Sequence, residues 1–115
     1  MTIERKRVGT RLSQVVVHEG TLYLSGVVAD HPIPDVGAQT GQILDRIDEY
    51  LREAGSDKRR LLSVVIWLSD MRAYDEMNAL WDKWVSPGNT PARACVEAKL
   101  AQPELLVEMR VIAAR

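Results

Sequence analysis

Apolar positions along the chain switch between a period of two and a period of three to four, and each switch marks an expected element. Alternation is weak over Ile3 to Val8 and stronger over Leu12 to His18, centred on Val15, Val16 and Val17. Glu19-Gly20 reads as a tight turn into Thr21 to Ser25, which stops at Gly26, so an antiparallel hairpin is expected. Ala29 to Asp35 holds Pro32 and Pro34 and suits neither helix nor central strand, and Asp35 is placed to cap a helix starting after it. Val36, Thr40, Ile43, Leu44, Ile47, Tyr50, Leu51 and Ala54 then recur at helical spacing, with Gly55 where a helix commonly ends.

Arg60 to Leu68, RLLSVVIWL, is almost continuously apolar, as strands covered on both sides are. Ala73 to Val85 predicts a second helix, with Tyr74, Met77, Trp81, Trp84 and Val85 on one stripe and Pro87-Gly88-Asn89 ending it. The next stretch, TPARACVEAKL from Thr90 to Leu100, reads as a strand after its proline. Alternation puts Arg93, Cys95, Glu97 and Lys99 on one side, and Ala94, Val96, Ala98 and Leu100 on the other. Leu105 to Ala113 is the last strand.

The order β-β-β-α-β-α-β-β, without internal repeat or low-complexity linker, predicts one α+β domain over residues 1–115. If each helix joins parallel strands of one mixed sheet, right-handed crossovers place both helices on the same face. The other face is then bare, yet strands such as RLLSVVIWL are apolar on both sides. The expected cover is further copies of the chain, in an obligate homo-oligomer.

Charge and cysteine usage narrow the function classes. Fifteen basic against sixteen acidic residues give a formal charge of -1, and the short basic runs Arg5-Lys6-Arg7, after Glu4, and Lys58-Arg59-Arg60 read as solvated strand ends. Neither nucleic acid nor a membrane surface is an expected partner. One cysteine forms no internal disulfide, and the opening MTIERKRVG has charges where a secretory signal needs an apolar segment, so a cytoplasmic protein is expected.

His18 in the hairpin turn and His31 before Pro32 are far from any cysteine or carboxylate at ligand spacing, and no glycine-rich phosphate loop or dinucleotide fingerprint is present. No metal and no cofactor are expected. A cation beside Cys95 would favour its thiolate, but neither histidine lies near it in sequence as a base, and a packing role is the reading taken. Arg93 leaves two readings open. Its planar fork suits a ligand carboxylate, or it closes an ion pair with Glu97, Glu108 or another chain's acid. Glu108 is either an acid/base raised by burial or the partner of Arg93 or Arg110. Asn78 falls on the buried stripe of the second helix, where its amide must be hydrogen-bonded, to tie the helix to a strand or loop or to hold a loop bearing a site.

Taken together, Leu22-Tyr23-Leu24-Ser25-Gly26, Gln39-Thr40 with Ile43-Leu44, Ala54-Gly55-Ser56, Asp70-Met71, Met77-Asn78, Pro91-Ala92-Arg93-Ala94-Cys95-Val96, and Val107-Glu108 closing on Ile112-Ala113 resemble the reactive intermediate deaminase (RidA/YjgF) superfamily. The likeness spans nearly the whole chain. It implies a chorismate-mutase-like α+β subunit in a homotrimer with a central barrel, helices outside and clefts between subunits. It also implies cofactor-free hydrolysis of 2-imino and 2-enamino acids, such as 2-aminoacrylate or 2-iminobutanoate, to 2-keto acids and ammonia.

Carried over by the resemblance, Arg93 clamps the substrate carboxylate, Glu108 positions or activates water, and Cys95 offers its backbone carbonyl. Ser25 and Gly26 line the wall, and Asn78 matches the family's helix asparagine. Leu12 stands where deaminase-active members have tyrosine, Arg11 replaces the usual proline before it, and Val27 replaces a glutamine, which resembles a side branch of the superfamily. Arg11 and Leu12 are therefore candidate substrate-binding positions. Two further readings stand beside hydrolysis: a non-enzymatic module or regulator that binds a small carboxylate metabolite, and a structural trimer whose arginine only closes an ion pair between subunits.

Overall fold

The computed structural model describes residues 2–115, and the alternating and helical patterns become β1 (Ile3–Val8), β2 (Ser13–His18), β3 (Thr21–Leu24), α1 (Val36–Glu53), β4 (Leu61–Leu68), α2 (Tyr74–Trp84), β5 (Ala92–Glu97) and β6 (Val107–Ala114). The strands form one mixed sheet in the order β1-β2-β3-β6-β4-β5. Only β4 and β5 are parallel neighbours; every other pair is antiparallel. Because β6 lies antiparallel to both β3 and β4, those two strands run the same way, so each helix does join parallel strands.

Local chemistry sets the ends of these elements. Glu19 (φ 50°) and Gly20 (φ 79°) both enter the left-handed region, as a two-residue hairpin turn with the twist of its strands requires, and His18 pairs with Thr21 beyond it. Asp35 caps α1, its carboxylate accepting from the Ala38 N–H at 3.0 Å. At the far end Gly55 (φ 80°) turns the chain back and the Ser56 N–H reaches the Leu51 carbonyl at 2.8 Å.

Several bounds differ from the sequence expectation. Leu12 lies in the turn before β2, where its carbonyl accepts from the Gly9 N–H at 2.8 Å, and Ser25 lies just past β3. One-turn 3-10 helices at Lys58–Arg60 and Met71–Ala73, capped by Asp57 and Asp70, occupy what the pattern assigns to connections or to the start of the second helix. β5 ends at Glu97, two residues short of Lys99. The expectation that Lys99 shares a strand face with Arg93 is thus corrected: the chain leaves the sheet after the Ala98 N–H bonds the Leu68 carbonyl, and Lys99 borders a hollow with Ser69, Gln102 and Pro103.

The core joins both helices to alternate positions of the sheet. Val15, Val17, Leu22, Leu24, Val64, Ile66, Met109 and Val111 are buried with Ile43, Ile47, Leu51, Met77 and Trp81. α1 and α2 pack on each other and on this one face. The intervening positions point the other way, where Tyr23 and Val96 are 38% and 44% exposed in the single subunit. Val16, Val65, Trp67 and Ile112 share that uncovered side by register. No helix among the described residues is long and apolar enough to cross a membrane.

Candidate functional site

Pairing register divides the predicted site residues between the two faces of the sheet. Arg93 lies opposite Val64 and Cys95 opposite Ile66, on the helix-covered side. Glu108 lies opposite Trp67, on the uncovered side. Ser25 and Gly26 gather with Glu108, while Asn78 gathers with Arg93. The candidate residues therefore fall into two groups, one on each face.

In the first group, β5 carries a guanidinium to the flank of α2. Arg93 Nη1 donates to Asn78 Oδ1 at 2.8 Å and Nη2 donates to the Tyr74 hydroxyl at 3.2 Å. The guanidinium carbon sits 5.2 Å from the centre of the Trp81 ring and 5.9 Å from that of Tyr74, both within cation–π range. Tyr74, Asn78 and Trp81 are spaced to share one helix flank. Asn78 is half-buried, and its amide ties helix to strand as the sequence suggested.

The ion-pair readings for Arg93 are not met within the subunit. Among the described residues no carboxylate comes within salt-bridge distance of it. Glu97, the nearest candidate in sequence, instead accepts from the Met71 N–H at 2.8 Å. Holding an arginine with a neutral amide, a phenol and an indole fixes its direction without cancelling its charge, and its other N–H groups have no partner among the described residues.

Cys95 packs against the core beside Arg93. Burial pushes its thiol up, and the opposing pull of the Arg93 charge is the smaller effect. An activated thiolate needs the reverse balance, so the packing role stands.

The second group forms where the end of β3 meets the starts of β2 and β6. Ser25 Oγ donates to Gln14 Oε1 at 2.7 Å, and the Ser25 N–H donates to the Gln14 carbonyl at 3.0 Å. Val27 then bridges Met109 with reciprocal bonds of 2.7 and 3.0 Å, which draws Gly26 beneath Glu108. A Cβ at Gly26 would collide with the Glu108 carboxyl group as it is placed, so any larger residue there would make the acid swing aside. Burial raises the pKa of Glu108 above its ordinary 4.5. Arg11 and Leu12 lie on the turn leading into β2; Leu12 is 49% exposed.

Sequence reasoning did not assign Gln14, Tyr74 or Trp81 to the site. Trp81 and Tyr74 were visible only as members of an apolar stripe, and the stripe's passage beside Asn78 was the available signal. Gln14 is a polar position in an alternating strand, which nothing in the pattern separates from a solvent-facing one.

Comparison with known proteins gives a consistent family. The model of the family described as Endoribonuclease L-PSP matches residues 2–115. A RutC family protein of Haemophilus ducreyi is 42% identical over 112 residues, covering 97% of this chain and 96% of its own. The RutC family protein YoaB of Escherichia coli is 40% identical over 114 residues, covering 99% of each. Among solved structures, NMB1025 of Neisseria meningitidis, a member of the YjgF protein family, superposes with a TM-score of 0.97 at 45% identity, over 100% of this chain and 96% of that one.

Proposed function

The chain belongs to the endoribonuclease L-PSP family, the YjgF/RidA group that its motifs resemble, and from that premise we propose that it hydrolyses 2-imino and 2-enamino acids to 2-keto acids and ammonia in a cleft between subunits. The observation that carries this reading is Arg93, a fixed guanidinium whose charge no acid among the described residues of its own subunit neutralises. A carboxylate docked there gains roughly 1.5 to 3 kcal/mol from charge-assisted hydrogen bonds.

Glu108 supplies the proton chemistry. As carboxylate it takes a proton from the water that attacks the imine carbon and returns it to the imine nitrogen, giving a carbinolamine; it then takes the carbinol O–H proton and passes it to the nitrogen, so that the C–N bond breaks, ammonia leaves and the carbon becomes the keto group. Its raised pKa makes it a better base than an exposed glutamate, and such help contributes about 10² to 10⁴ in rate. Ser25 and Gly26 wall the same half of the cleft, Asn78 steadies Arg93, and Cys95 packs behind it. Since Arg93 and Glu108 lie on opposite faces of one subunit, the cleft joins Arg93 of one copy to Glu108 of the next, in a trimer whose barrel is lined by the uncovered sheet faces.

Ribonucleolytic action, which the family's description names, calls for a basic track along which phosphates lie, and a formal charge of -1 offers little for one. Holding a small carboxylate without turnover uses the same Arg93 but leaves Glu108 idle. Imines generated in situ by an amino-acid oxidase separate these readings. Wild type is expected to speed formation of the 2-keto acid, with Arg93→Ala and Glu108→Gln each falling at least about 100-fold. Hydrolysis no faster than buffer across several side-chain sizes rules out the enzymatic reading.

A further inference from the structure

Tyr74 makes a contact with Arg93 that leaves its own proton unused. Its hydroxyl oxygen accepts from Nη2 at 3.2 Å, and among the described residues no acceptor takes the phenolic O–H. A phenol both donates and accepts, so an oxygen engaged by an arginine still has one donor to offer. Tyr74 is 38% exposed, and its hydroxyl is therefore reachable by a ligand. Asn78 already fixes Nη1 and the Trp81 ring already backs the guanidinium, so Tyr74 is not needed merely to aim Arg93.

We propose that Tyr74 is a second carboxylate-binding residue, donating its O–H to one oxygen of the carboxylate whose other oxygen meets the remaining N–H of Arg93 Nη2. This inference rests on the reading of Arg93 as the carboxylate anchor. The ligand class is a compact 2-keto or 2-imino acid whose carboxylate enters between the phenol and the guanidinium. Against a single charged fork, the added neutral donor fixes the carboxylate plane and hence the direction of the carbon to be attacked.

Calorimetric titration of the full chain with pyruvate, for wild type, Tyr74→Phe and Arg93→Ala, tests it. Tyr74→Phe keeps the ring against the guanidinium, so a weakening of about three- to tenfold reports the hydroxyl alone. A second reading comes from protein labelled with 13Cζ-tyrosine. The Tyr74 resonance, identified by its loss in Tyr74→Phe, should shift as pyruvate is added to wild type and stay fixed in Arg93→Ala. A hydroxyl that merely props Arg93 would give no ligand-dependent shift characteristic of a new donor bond. If Arg93→Ala abolishes binding while Tyr74→Phe binds like wild type and the resonance stays still, the role for Tyr74 is overturned and the anchor stands. If Arg93→Ala binds pyruvate as wild type does, both fall.

Discussion

Glu108 combines partial burial with the absence of any described cation at hydrogen-bond distance, and the consequence can be read in stability. Burial holds its pKa above 4.5, so the folded state retains the proton to higher pH than the unfolded chain. The unfolded state then binds fewer protons as pH rises beyond 4.5, and stability falls across the interval up to the raised folded value. Glu108→Gln removes the charge that is being penalised. Its melting temperature should match wild type near pH 4 and exceed it at pH 7 to 8; an offset that does not change with pH would mean the carboxyl is fully hydrated. At this scale Arg93 and Asn78 were legible in the sequence because alternation and helical spacing place them. Tyr74 was not: the stripe that contains it predicts burial, whereas its ring lies at the margin and its hydroxyl turns to the guanidinium.

Buried Gln39 on α1 shows how elements are fastened around the site. Its Nε2 donates to the carbonyls of Ile33 and Glu104 at 2.8 and 2.9 Å, and its Oε1 accepts from the Leu106 N–H at 2.9 Å. One side chain thus pins the proline-containing segment before α1 and the loop that leads into β6, two residues ahead of Glu108. Gln39→Leu fits the volume but strands the Glu104 carbonyl and the Leu106 N–H, while the Ile33 carbonyl keeps the Asp35 N–H at 2.7 Å. Urea unfolding should show a loss of roughly 3 kcal/mol, and a change below about 1 kcal/mol would mean that water replaces the amide. The elements themselves were largely readable, since Glu19-Gly20, the Asp35 cap and Gly55 are local signals. The short capped turns after Asp57 and Asp70 and the early end of β5 were not. The turns rest on single Asp caps too short to show a period, and β5 stops at Glu97 because its partner β4 ends at Leu68.

As a whole the subunit is a slab of 43 × 37 × 20 Å, one layer of helices on one sheet. The sequence anticipated this from right-handed crossovers that place both helices on one face, and the positions left uncovered include the apolar Val65, Trp67 and Ile112. What it did not show is that the register sends Arg93 and Glu108 to opposite faces; strand order within the sheet, with β6 between β3 and β4, decides that. If the active cleft joins one copy's Arg93 to the next copy's Glu108, two inactive variants complement each other. Arg93→Ala and Glu108→Gln chains, unfolded together in equal amounts and refolded, should regain about a quarter of wild-type imine hydrolysis, the fraction of clefts that draw both intact residues. Activity no higher than that of either variant alone, from mixed assemblies of wild-type mass, would contradict a site shared between copies.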